Sequence, residues 1–210
     1  AKLAISLNPE DVNLWALLAE AQINNKLFDD ALLSIKRGKL INPLVGELYF
    51  AESSIYLNQN KKQKAKKSLK QGLKIQPKNT NALFQYGNIF LMEKNYEQAL
   101  SKYNEIIEIK ANFWQAINNK GLIYFERDEI LLAINNFKKA VEIQKNAESM
   151  LALGVSLKNT NKKKSILLVK EALQKNPNYV SFNFRKDQLW GEKLQKATEE
   201  LFKIEELKED

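Results

Sequence analysis

Residues 80–113 read TNALFQYGNIFLMEKNYEQALSKYNEIIEIKANF. Leu83, Tyr86, Gly87 and Phe90 are spaced as one stripe of an α-helix, and Tyr96, Ala99, Tyr103 and Ile106 as the stripe of a second. The stretch reads as helix–turn–helix.

Outward from this stretch the same pattern recurs at a fixed interval. Pro9, Pro43 and Pro77 are spaced by 34 residues, and so are Ala31, Ala65, Ala99 and Ala133. Ser165 follows Ala133 after 32 residues, and Gly87, Gly121 and Gly154 are spaced by 34 and 33. Phe28 and Tyr96 lie two such steps apart, with Lys62 between them. Three independent residue classes keep one period, so the chain is built from repeats. Small residues sit where two helices cross and let the backbones approach. Each proline stops a second helix in the exit turn. A lone helical pair cannot bury its stripe, so neighbouring pairs must stack.

The period and these residues resemble the tetratricopeptide repeat (TPR) family, whose unit is 34 residues of helix–turn–helix. The first full unit carries Trp15, Leu18 and Ala19, then Phe28, Ala31, Ile35 and Pro43. The second carries Tyr49, Ser53 and Tyr56, then Ala65, Leu69, Gly72 and Pro77. The fourth carries Ile117, Gly121 and Tyr124, then Ala133, Phe137 and Ala140. The fifth carries Met150, Leu153, Gly154 and Leu157, then Ser165, Val169, Ala172 and Pro177, and its inner turn is one residue short. Ala111 and Lys145 stand where other units have proline, and Glu52 and Lys120 replace an apolar residue. The resemblance implies an all-α, right-handed solenoid over residues 1–178: a half-repeat at 1–11, then repeats 12–45, 46–79, 80–113, 114–146 and 147–178. Ala4 and Pro9 fit one period upstream and place residues 1–7 at the end of a second helix, as a cut through a longer protein, or else a natural half-repeat, would leave them.

Residues 179–210 leave the pattern. From Trp190, through Leu194, Ala197, Leu201 and Ile204, the spacing is 4, 3, 4, 3, an amphipathic helix expected to cap the last repeat or to mediate self-association. The run from Gln188 to Gln195 also faintly resembles the end of cyanobacterial TPR proteins.

Composition restricts the chemistry. The 210 residues include no cysteine and no histidine, which excludes disulfides, thiolate metal sites and imidazole catalysis within this chain. No Gly-rich phosphate loop is present, and the carboxylates show no convergent spacing. Neither catalysis nor a cofactor is expected. The net charge is +8, and every basic residue except Arg37, Arg127 and Arg185 is lysine. Lys61, Lys62, Lys64, Lys66, Lys67, Lys70 and Lys74 cluster on one second helix, and Lys162, Lys163 and Lys164 form a smaller group. Such a face is either solvated or set against an acidic partner or anionic membrane. Nucleic acid is disfavoured, because arginine and interleaved aromatics are missing. No secretory signal and no apolar run of about 20 residues appear, so the expected setting is cytoplasmic.

TPR solenoids bind peptides or helices on a concave surface lined by first helices, so the resemblance implies a protein or peptide partner. One lane of these helices holds Ala16, Phe50, Phe84, Asn118 and Leu151; the next holds Leu17, Ala51, Gln85, Asn119 and Ala152; a third holds Glu20, Ser54, Asn88, Leu122 and Val155. Amides can donate to and accept from a peptide backbone, and aromatics anchor apolar groups. The expected binding groove is Phe50, Phe84, Gln85, Asn88, Asn118 and Asn119, unless the two phenylalanines fill gaps between helices. A chaperone-type carboxylate clamp is disfavoured: Asn88 and Asn119 fit its amide places, but its cationic places fall on Phe84, Glu148 and Ala152. The function expected is a non-enzymatic scaffold or adaptor. An accessory arm of a larger enzyme and an assembly factor for membrane complexes remain the alternatives.

Overall fold

The computed structural model describes residues 6–207. Ala4, read into the opening half-repeat, lies outside the described residues. The chain divides into two compact units, residues 1–89 and 90–210. Among the described residues there are twelve α-helices and no strand.

The N-terminal unit holds α1 (Val12–Asn24), α2 (Phe28–Ile41), α3 (Gly46–Asn58) and α4 (Lys62–Ile75). It also holds most of α5 (Thr80–Met92). Helices α1 and α2 pack as a pair, as do α3 and α4. Ala19, Ala31, Ile35, Leu48 and Ile55 form one core; Ala65, Leu69, Ala82 and Ile89 form the next. Trp15 donates its indole N–H to the Pro9 carbonyl at 2.8 Å, and Tyr49 donates its hydroxyl to that of Pro43 at 3.1 Å. One repeat apart, the two aromatics tie a first helix to the exit turn before it.

The C-terminal unit contains α6 (Tyr96–Ile109), α7 (Trp114–Glu126), α8 (Ile130–Ile143), α9 (Ala147–Leu157) and α10 (Lys162–Lys175). Helices α7 and α8 pair, as do α9 and α10, and α8 packs against α9. The periodic small residues Ala31, Ala65, Ala99, Ala133 and Ser165 are all fully buried, as close helix crossings require. At Gly121 the Phe137 ring occupies the space a Cβ would need, so any larger residue would displace that ring.

Lys26, Asn60, Lys94 and Asp128 all adopt left-handed backbone, with φ of 59°, 56°, 57° and 63°. They stand 34 residues apart, one in each inner turn. The shortened turn before α10 has no such residue.

The segment after Pro177 is not one amphipathic helix. It forms a 3-10 turn (Pro177–Val180), the short helix α11 (Phe182–Asp187), α12 (Glu192–Leu201) and a last 3-10 turn (Glu205–Leu207). Leu189, at φ 67°, separates α11 from α12, so the helix starts two residues after Trp190. Arg185 is fully buried and ties the segment together. Its Nε donates to Gln195 Oε1 at 2.8 Å, and its terminal nitrogens donate to the carbonyls of Tyr179 (2.6 Å) and Val180 (2.8 Å) and to the Glu199 carboxylate. Among the described residues no helix is long and apolar enough to cross a membrane.

Candidate functional site

In the N-terminal unit the first helices α1, α3 and α5 line an open groove of about 590 Å³. Its walls include Ala16, Leu17, Phe50, Ala51, Ala82 and Gln85. The amphipathic pattern buries Ala19, Leu48 and Ile55 on one side of these helices and leaves the adjoining lane facing the groove. Leu17 is 54% exposed, although a leucine gains about 1.5–3 kcal/mol on burial. Gln85 Oε1 is buried and receives no hydrogen bond. Such an acceptor carries a desolvation cost of about 1–3 kcal/mol until a donor reaches it. Glu20 and Glu47 also line the groove, and Glu47 accepts a hydrogen bond from Gln76 Nε2 at 2.6 Å.

The structure brings Phe50 and Gln85 of the expected set to this groove. The Phe50 ring also lies over Gly72, so it fills a helix crossing as well as facing the cavity. Phe84 and Asn88 sit half-buried on α5 and are not part of the groove wall. Asn118 and Asn119 are internal. Asn118 is fully buried; its Nδ2 donates to Glu148 at 2.8 Å and its Oδ1 accepts from Ser149 at 2.9 Å. Asn119 donates to the Tyr103 hydroxyl at 3.3 Å. The two amides therefore join helices and do not face a partner in this structure. The sequence lanes missed Asn13, Glu47, Asn79 and Asn81. These residues start the first helices or immediately precede them, where a stripe pattern carries no information.

In the C-terminal unit the chain itself covers the corresponding lanes. Tyr179, Trp190, Leu194 and Leu201 share one core with Leu122, Leu151, Ala152 and Val155. Helix α12 packs on α7 and α9. Its N-cap, Gly191, has no side chain to accept the first amides. Glu126 of α7 supplies that acceptor, taking the backbone N–H of Leu194 at 3.0 Å and of Lys193 at 3.3 Å. Gly191 lies so close to the Glu126 carboxyl that a Cβ would collide with it. Lys193 pairs with Asp128, and Lys94 with Glu192 at 2.8 Å. Burial pushes the Glu148 carboxyl up to about 7, against the opposing pull of Asn118, Trp190 and Tyr179. Burial, followed by the nearby Glu148 carboxylate, also raises the Tyr179 phenol.

The lysine helix α4 exposes Lys64, Lys67, Lys70 and Lys74 to solvent. Lys64 also lies over the Tyr56 ring at 5.6 Å.

Comparison with known proteins supports the repeat pattern. The tetratricopeptide repeat family model matches residues 46–79 and 115–146. Those two stretches are tetratricopeptide repeats. Among curated proteins, none matches it by sequence. Solved structures share the fold. YrrB, described as a TPR protein with an unusual peptide-binding site, has 17% identity and a TM-score of 0.68 over 85% of this chain and 93% of its own. MamA of Desulfovibrio magneticus RS-1 has 17% identity and a TM-score of 0.69 over 81% and 97%. The pilF protein of Pseudomonas aeruginosa has 14% identity and a TM-score of 0.68 over 94% and 95%. None of this supports the cyanobacterial likeness of Gln188–Gln195.

Proposed function

We propose that this chain is a non-enzymatic TPR adaptor that holds a segment of another protein in the groove of its N-terminal unit. The observation that carries this reading is the groove itself. Exposed Leu17, half-buried Phe50 and Ala51, and an acceptor at Gln85 without a donor line one cavity. A binding segment would cover the leucine. A preformed groove on packed helices loses little conformational freedom on binding. Peptide binding in YrrB, which shares the fold, agrees with this reading. Phe84 and Asn88, on the same helix as Gln85, extend the proposed surface; Asn118 and Asn119 serve the interior.

The test is a pull-down from the source lysate, comparing the chain with a Leu17→Asp/Ala51→Asp variant. Both positions face the groove, Leu17 exposed and Ala51 half-buried against the core, so bound proteins should be lost, and Leu17→Asp alone should lose them with melting unchanged. The same proteins captured by both forms would overturn the assignment of the groove.

A further inference from the structure

The charge of the groove identifies what kind of segment it takes. The chain carries 33 lysines and arginines and a net charge of +8, yet none of those cations lines the cavity. The ionisable side chains that do line it are Glu20 and Glu47, both exposed. Gln85 adds a buried oxygen that needs a donor. Every charged group and the one buried orphan atom in the wall therefore call for donors and positive charge, against the sign of the whole molecule.

The C-terminal unit shows how first helices of this chain receive a helix. Apolar anchors Trp190, Leu194 and Leu201 enter the core, while carboxylates outside it take the positive groups: Glu126 the α12 amides, Asp128 the Lys193 ammonium. The N-terminal groove offers the same combination of apolar floor and carboxylate rim, and among the described residues no segment fills it.

We propose that the groove of α1, α3 and α5 takes a basic amphipathic helix of a protein partner, its apolar side against Leu17, Phe50 and Ala51 and its lysines or arginines facing Glu20 and Glu47. This rests on the groove being the binding site, and it names the partner's chemistry. Three first helices packed about 8–10 Å apart span roughly 20 Å, the length of about 13 helical residues.

The experiment titrates the whole chain with two synthetic amphipathic peptides of about 18 residues. Both have the same Leu and Trp spacing; one carries lysine and the other glutamate on the flanks. The lysine peptide should bind about tenfold tighter or better, a preference that shrinks as salt rises from about 0.05 to 0.5 M. In a Glu20→Gln/Glu47→Gln variant the ratio should fall to about threefold or less. A Leu17→Asn/Ala51→Gln variant, which removes the apolar floor and adds no charge, should bind neither peptide. Equal affinities, or preference for the glutamate peptide, would overturn the basic-helix assignment and leave the groove reading intact. Lysine-peptide binding that survives the uncharged Leu17→Asn/Ala51→Gln variant would overturn both, as would no binding of either peptide to the unaltered chain.

Discussion

Leu17 in the N-terminal unit and Ala152 in the C-terminal unit occupy the same lane of the repeat, yet Leu17 is 54% exposed and Ala152 is 0%. Asn119, in the same lane, is 6% exposed. The helices around them are alike in length, pairing and small-residue crossings. What differs is the cover. Helix α12 lies over the first helices α7 and α9 of the C-terminal unit, and its segment brings two aromatic rings and two leucines into the core. The repeat thus sets where a groove runs, and the neighbouring chain sets whether it is open. An open groove in one unit and self-capping in the other are two states of one repeat surface.

The largest effect should come from removing the cover. Trp190 is 4% exposed and packs beside Tyr179 and the α7–α9 core. Trp190→Ala should destabilise the C-terminal unit by about 3–5 kcal/mol, read by urea unfolding with hydrogen exchange on α7 and α9. An effect below about 1 kcal/mol would mean that the segment rests on the unit without closing its core.

Glu148 sharpens the comparison through pH. Its carboxyl is raised to about 7 by burial beneath the C-terminal segment. The folded state therefore holds the proton more tightly than the unfolded chain does. Stability is highest below the ordinary carboxylate value, is lost as pH rises through about 7, and is flat above that. The loss should be on the order of 3 kcal/mol, from a rise from 4.5 to about 7 at about 1.36 kcal/mol per unit of pKa. Glu148→Gln keeps an acceptor for Asn118 and should flatten the profile between pH 4 and 8. A pH slope that persists unchanged in the variant would assign it to another group.

Glu126 should give a smaller effect. Its carboxylate caps α12 from another helix, so Glu126→Ala should cost about 1 kcal/mol and loosen exchange protection at Lys193 and Leu194 first. Unchanged protection there would mean that solvent caps the helix equally well.

The repeats were legible because packing at helix crossings tolerates few residue types: Ala31, Ala65, Ala99 and Ala133 have no room to vary. The left-handed turn residues were not legible. Lys26, Asn60, Lys94 and Asp128 keep the 34-residue interval in backbone angle and not in chemistry, since a solvated turn needs only a tolerated φ. The C-terminal segment misled for a related reason. Its heptad spacing is real, and Leu194, Ala197 and Leu201 lie on α12, but Trp190 and Ile204 fall outside that helix and the hydrogen bonds of Arg185 hold a compact knot before it that periodicity cannot encode. Half of the candidate amides proved internal because a lane on a first helix does not say which other segment of the chain will reach it. Asn118 spends its amide on Glu148 and Ser149, contacts about 30 residues away in sequence.

The smallest expected effect tests the open side. Leu17→Ser removes an apolar side chain that is already more than half in water, so the lost burial is small and no cavity forms. The stability change should stay within about 0.5 kcal/mol by urea unfolding. Asn119→Ala, in the same lane, removes the hydrogen bond to Tyr103 and leaves a hydroxyl buried without that partner, at a cost of about 1–3 kcal/mol. Two substitutions in one lane should therefore differ several-fold in stability and in the opposite order in binding, where Leu17 matters and Asn119 does not. If Leu17→Ser destabilises as much as Asn119→Ala, the groove is closed in solution, and the open site must be sought elsewhere on the N-terminal unit.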